Sequence, residues 1–323
     1  MTDKIAIKQR RRQIGLYGWA LLGYYIFMNL AVAFAMEVQL VRDGFLAVIR
    51  EDSWDAFAEG VMDSTMAVAE NGWGYLILCL AVIAGLALFG GRDYCSRLFV
   101  TKRHMTGRDF AMLLVIFISG QLVFSILAVL EEIILSFFGL SVLESMEMAS
   151  AGADTFSMFL YMGLGAPVVE ELVFRGVLMR GFEKHGRRFA IVASAILFGL
   201  FHGNLVQSPY AFAVGLVMGY VAMEYSVGWA MVLHMINNLL LGDSLMRLTS
   251  FLPEGMQDVL YGNLYLMSGI AAIVILIRRR QEIRDWLRAN PRTGGAMKAF
   301  FTAPANLILM VLMSANAIMI LFM

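Results

Sequence analysis

Cysteine is nearly missing from this chain: Cys79 and Cys95 are the only two in 323 residues. Cys79 lies in an apolar run and Cys95 in a basic segment, with no Cys-x-x-Cys pair and no Cys/His ligand spacing. Neither a disulfide framework nor a structural zinc site is indicated. Charge is sparse as well. Lys plus Arg and Asp plus Glu number 25 each, which makes 15% of the chain and a formal net charge of zero. Without a bulk field, nucleic acid is not an expected partner. The strings Gly-x-Ser-x-Gly, His-Glu-x-x-His and Gly-x-Gly-Asp are absent from the apolar runs, so no familiar nucleophile or zincin helix is offered. There is no long linker, low-complexity tract or internal repeat, and no attached soluble domain is expected.

Apolar side chains are what the sequence has in excess. They make up 60%, above the roughly 45–50% of soluble domains. A soluble globule of this length could not hide that surface, so the bilayer is the expected solvent. Runs near 15–36, 73–91, 110–130, 156–176, 189–206, 210–225, 227–246, 259–277 and 300–323 approach the roughly 20 residues that a span needs. The last is interrupted by Asn306, Ser314 and Asn316. Alternating polar and apolar strands are missing, and unpaired backbone is not tolerated in lipid, so the spans are expected to be helices. Ala33-Phe34-Ala35 has the look of a signal-peptidase site. The apolar stretch before it, about twenty residues, is too long for a signal core, and a retained first span is expected.

The basic residues sort along the chain. Five precede the first run, five lie between the second and third, five close the fourth, and seven follow the eighth; only Arg42, Arg50 and Arg247 fall on the other side. By the positive-inside rule this gives an all-α, polytopic membrane bundle of about 8–9 helices with a cytoplasmic N-terminus. The stretch 37–72 would lie outside. It is acidic, and Trp54, Phe57 and Val61 recur there at helical spacing, as in a surface-lying amphipathic helix. The organisation expected is 1–150 and 251–323 as flanking transmembrane regions around a core at 151–250.

Ionisable side chains at membrane depth are costly and mark function. Three groups stand out in the core. The first is Glu170-Glu171-Leu172-Val173-Phe174-Arg175-Gly176, with Pro167 just before it. Glu171 and Arg175 are four apart and can pair, either as a plain clamp or as part of a site. Glu170 is about 100° away around the helix. Pro167 should kink or loosen the helix there. The second group is Phe198-Gly199-Leu200-Phe201-His202, and the third His234-Met235-Ile236-Asn237-Asn238. His234 and Asn238 share one face. Asn237 is only about 60° off it, so spacing does not choose between the asparagines. A His and an amide on one buried face can donate to an oxyanion, or can simply form an interhelical hydrogen-bond pair. A carboxylate and a His without a side-chain nucleophile fit general-base activation of water.

Glu-Glu-x-x-x-Arg, Phe-x-x-x-His and His-x-x-x-Asn, in that order on successive apolar runs, resemble the signature of the CAAX-protease and bacteriocin-processing (CPBP, or Abi) family of intramembrane peptidases. The resemblance covers residues 155–245. It implies that Glu170 and His202 activate the hydrolytic water, that His234 and Asn238 stabilise the oxyanion, and that Glu171 and Arg175 are supporting residues. It implies a CAAX prenyl endopeptidase-like activity on a peptide or membrane-protein substrate. With no recognisable eukaryotic targeting tail, a bacterial cytoplasmic membrane is expected. No cofactor is expected, although Glu170, His202 and His234 offer a possible zinc set. A non-catalytic immunity or scaffold protein that binds a partner's spans is the alternative. A transporter is a further one, weakened because Pro167 has no matching break in another half. If the peptidase reading is right, the four catalytic side chains should meet in one cavity open to the cytoplasmic side.

Overall fold

The computed structural model describes residues 2–50, 53–143, 146, 155–239 and 245–322. Every regular element among them is a helix. In order these are α1 (Thr2–Arg50), α2 (Trp54–Ala69), α3 (Gly72–Leu98) and α4 (Gly107–Ser136). The long α5 runs from Phe156 to Glu183. Its two π-helical stretches, Tyr161–Gly165 and Leu172–Met179, flank an α-helical piece at Ala166–Glu171. There follow α6 (Arg187–Phe201), α7 (Gln207–Glu224), α8 (Val227–Ile236), a short α9 (Leu245–Thr249), α10 (Glu254–Arg278), α11 (Arg280–Ala289), α12 (Ala296–Phe301) and α13 (Pro304–Met319).

Among the described residues six helices are long and apolar enough to cross a membrane: Ile5–Ala47, Gly72–Arg92, Gly107–Ser136, Phe156–Glu183, Glu254–Arg278 and Pro304–Phe322. The chain is an integral, multi-pass membrane protein. The expected count of 8–9 is not confirmed, and the difference lies in α6, α7 and α8, which have 15, 18 and 10 residues. At 1.5 Å per residue, α6 reaches about 22 Å, short of the roughly 30 Å hydrocarbon core. α6 stops early because Gly203, just past His202, turns to φ +57°, a backbone that favours glycine. α8 begins at Val227, where the run was expected to begin, with Ser226 as its cap accepting from the Trp229 N–H, and passes into a π turn over residues 237–239. α7 packs on both α6 and α8, and all three pack on α5, so protein covers much of them. Residues 240–244 of the run expected at 227–246 lie outside the described residues.

The acidic stretch 37–72 is also more helical than a loop. α1 continues through it to Arg50 as one 49-residue helix, about 74 Å long. α2 then folds back against α1. The amphipathic helix expected around Trp54, Phe57 and Val61 is α2, while residues 51–52 lie outside the described residues.

The core sits between α5, α6, α7 and α8, where Phe174, Phe182, Phe198, Met218 and Leu233 are all but fully buried. The flanking regions wrap it. α3 lies along α5, α4 packs on both α7 and α10, and α1 packs on α12 and α13. The polar residues expected to weaken the last run instead tie α13 in place. Asn306 is fully buried and donates to the Phe300 carbonyl at 3.0 Å. Gly18 of α1 leaves the room for it, since a Cβ there would collide with the Asn306 amide. Asn316 donates to the Gly203 carbonyl at 3.1 Å and so steadies the turn that ends α6.

Candidate active site

Glu171 and Arg175 form the pair that their spacing allows, Nη1 to Oε1 at 2.8 Å, and both side chains are fully buried. A guanidinium at that depth needs more than one partner. Its Nη2 donates to the Gly215 carbonyl at 3.3 Å, and its Cζ stacks 4.2 Å over the Phe198 ring. Gly215 makes this possible, because a Cβ there would sit 3.3 Å from Nη2. Glu171 Oε2 and Arg175 Nε have no hydrogen-bond partner among the described residues.

His234 joins this pair to the second carboxylate. Its Nδ1 is 3.0 Å from Glu171 Oε1, and its Nε2 is 3.7 Å from Glu170 Oε2. A carboxylate only accepts, so Nδ1 carries the proton. One imidazole thus fills the angular gap between two consecutive glutamates. Glu170 itself makes no hydrogen bond among the described residues, and a quarter of its side chain, 26%, is exposed. Adjacent carboxylates are therefore treated oppositely: one locked, one open.

His202 ends α6 with its Nδ1 2.8 Å from the Phe198 carbonyl. The carbonyl accepts, so Nδ1 donates, and in the neutral ring Nε2 is left as an acceptor. The Phe198 ring meets His202 edge-on at 4.8 Å and His234 at 5.8 Å. Phe198 is thus the common wall between Arg175 and both histidines, and Glu170 lies within electrostatic reach of His202.

The asparagines divide in a way that spacing does not decide. Asn237 accepts from the Tyr210 hydroxyl at 2.9 Å and from Gln121 at 3.2 Å, and it donates to Asn238 Oδ1 at 3.0 Å. Asn238 donates to the Met162 carbonyl at 2.8 Å. That carbonyl is free for a reason written in the sequence. In the π turn the Ala166 N–H bonds Tyr161 O, five residues back. The next donor in that pattern is residue 167, a proline with no N–H. Asn238 supplies the missing bond and keeps a second N–H. Its described contacts do not include Glu170, His202 or His234. Asn238→Ala should then leave a part-buried carbonyl unpaired and cost about 1 kcal/mol. Thermal unfolding in detergent checks this, and Pro167→Ala in the same chain should recover part of the loss by restoring a donor.

Three residues beyond those read from the motifs complete the surroundings. Tyr24 of α1, Cys79 of α3 and Tyr161 of α5 lie within electrostatic reach of Glu170. Phe201 stacks on Tyr24 with ring centres 5.7 Å apart. Tyr24 and Cys79 stand more than a hundred residues from His202 in sequence, and nothing local marks them. Among the described residues no three His, Cys, Asp or Glu side chains gather closely enough to hold a metal ion.

The arrangement offers an open carboxylate, an acceptor ring nitrogen near it, and a spare amide N–H of Asn238 just past α8. No curated protein and no solved structure matches the chain. Residues 152–240 match the family model described as Type II CAAX prenyl endopeptidase Rce1-like, consistent with the CPBP family, and this segment holds Glu170, Glu171, Arg175, His202, His234 and Asn238.

Proposed function

We propose that residues 151–250 form the catalytic core of an intramembrane, CAAX prenyl endopeptidase-like protease that hydrolyses a peptide or membrane-protein substrate. The observation that carries this reading is the unequal setting of the two adjacent glutamates. Arg175 holds Glu171 in a buried pair, whereas Glu170 has no hydrogen bond among the described residues and is a quarter exposed. In the proposed reaction Glu170 takes a proton from a water that His202 Nε2 orients. The resulting hydroxide adds to the scissile carbonyl carbon, and the charge on its oxygen is met by the second amide N–H of Asn238 and by His234 Nε2–H when that ring carries a proton on both nitrogens, Nδ1–H staying on Glu171. Collapse breaks the C–N bond, and the proton held on Glu170 passes to the leaving amine. No metal is needed for this sequence.

A groove of about 680 Å³ lies between α3 and the basic end of α5, along Gly176, Val177 and Arg180, and none of the four proposed catalytic side chains lines it. It gives an extended chain a place to lie. The basic ends of the spans face the cytoplasm in this proposal, with a bacterial inner membrane as the setting. Comparative peptidomics of membranes carrying the wild type or Glu170→Ala tests it, with a chelator arm. The expected result is a peptide product that requires Glu170 and survives chelation. If the products are identical in the two membranes, a non-catalytic scaffold that binds a partner's spans takes its place.

A further inference from the structure

We propose that a second groove, between α7 and α10, is a binding site for one anionic phospholipid of the surrounding membrane, with a chain in its apolar arm and the phosphate at Arg188. This stands apart from the peptidase reading and uses none of its residues.

The groove follows from the packing. α4 packs on α7 and on α10, but α7 and α10 scarcely touch each other. A channel of about 700 Å³ is left with α4 as its floor. Its two ends differ in chemistry. α4 and α10 are both long enough to cross the membrane and end at one level, where Arg279 comes 4.0 Å from Asp109. From Asp109 the channel runs past Leu113 to Ile116, about 10 Å deeper, between Leu216 and Val217 on one side and Ile275 and Leu276 on the other. A void with such walls at that depth is poorly suited to water and lies beside lipid chains.

The polar end matches a headgroup zone. α11 begins where α10 breaks at Arg279, and it is strongly amphipathic, as helices lying in the interface are. Its Trp286 lines the groove, donates through Nε1 to Glu224 at 2.7 Å and meets the Tyr220 ring edge-on at 5.7 Å. Aromatic rings with a polar edge favour this level of a membrane.

Charge then selects the headgroup. Each carboxylate on the rim already has its arginine. Asp109 faces Arg103 at 3.3 Å, Glu282 holds Arg279 through both oxygens at 2.6 Å, and Glu224 is paired with Arg187. Arg188 lines the same rim, half-buried, with no ion pair, hydrogen bond or ring contact among the described residues. The rim therefore carries one uncompensated guanidinium, whose planar fork suits a phosphate diester. Basic pockets between spans on the cytoplasmic side attract anionic lipid headgroups. A lipid seated here would also join α10 to α7 where protein contacts are thin.

The test uses the full-length protein in detergent, stripped of lipid and titrated with dioleoyl phosphatidylglycerol. Bound lipid is counted by native mass spectrometry, and thermal unfolding is followed alongside. The expected result is one retained phosphatidylglycerol and a raised melting temperature, with affinity for dioleoyl phosphatidylcholine about five- to tenfold lower. Glycerol 3-phosphate and inorganic phosphate should have no effect. Arg188→Gln should bring phosphatidylglycerol down to the phosphatidylcholine level without changing the lipid-free melting temperature, and Val217→Trp, which fills the apolar arm, should abolish both. Equal affinity for the two lipids, indifference to Arg188→Gln, or an equal response to phosphate alone would overturn the proposal. A dimer that Val217→Trp dissociates, with no lipid response, would assign the groove to a second copy instead.

Discussion

Glu170→Gln should lower turnover by about two to four orders of magnitude, the usual worth of a general base, and leave the melting temperature within a degree or two. The amide keeps the shape of the carboxylate but cannot take a proton. Among the described residues Glu170 has no hydrogen bond to lose, and the His234 Nε2 beside it is 3.7 Å away. Substrate binding should survive, so the loss should fall on kcat rather than on KM. Glu171→Gln provides the contrast. That side chain is fully buried between Arg175 Nη1 and His234 Nδ1, and its loss should lower stability before it touches chemistry. Kinetics on the product peptide, with unfolding curves for both variants, separate the two roles. Full turnover by Glu170→Gln would remove the base and with it the mechanism.

Arg175→Ala is expected to destabilise the protein by about 3–5 kcal/mol, the cost of leaving a buried carboxylate without its partner. Three contacts go at once: Glu171 at 2.8 Å, the Gly215 carbonyl at 3.3 Å and the Phe198 face at 4.2 Å. Arg175→Lys should rescue little, because an ammonium cannot lie flat on the ring while bonding in two directions. The double change Glu171→Gln with Arg175→Met removes both charges and should be more stable than Arg175→Ala alone. Thermal unfolding and membrane levels read all three. If Arg175→Ala proves fully stable yet inactive, Arg175 belongs with the catalytic residues.

The site was legible in the sequence where its geometry is local. Glu171 and Arg175 pair because four residues make one helical turn. Glu170 points elsewhere because one residue makes a large rotation. What was not legible depends on distant packing. Phe198 was visible only as the first letter of a spacing, yet it walls Arg175, His202 and His234. Tyr24 and Cys79 lie within electrostatic range of Glu170 from α1 and α3 with no local mark at all. Pro167 and Asn238 were both conspicuous, but linking them required knowing that the turn between is a π turn. The fold shows the same division. Apolar composition announces membrane helices, but it cannot separate a helix facing lipid from one covered by protein, and α6, α7 and α8 are of the second kind. α1 outran its expected end because acidic residues after Met36 resemble a loop, although they are equally compatible with a helix that has left the hydrocarbon.

The wide turns of α5 change what counting along that helix means. In ordinary α geometry each residue advances the side-chain azimuth by about 100°. A π turn spends an additional residue on the same sweep, so across Tyr161–Gly165 and Leu172–Met179 residue number and azimuth fall out of step. A related chain with a plain helix there would present the same faces with fewer residues, and an alignment would show the difference as a one-residue gap inside a helix. Deleting a residue within 161–165 is thus equivalent to ironing out the turn. Deleting one within Ala166–Glu171 shifts the azimuth of whatever precedes or follows by about 100° and parts Glu170 and Glu171 from the imidazole between them.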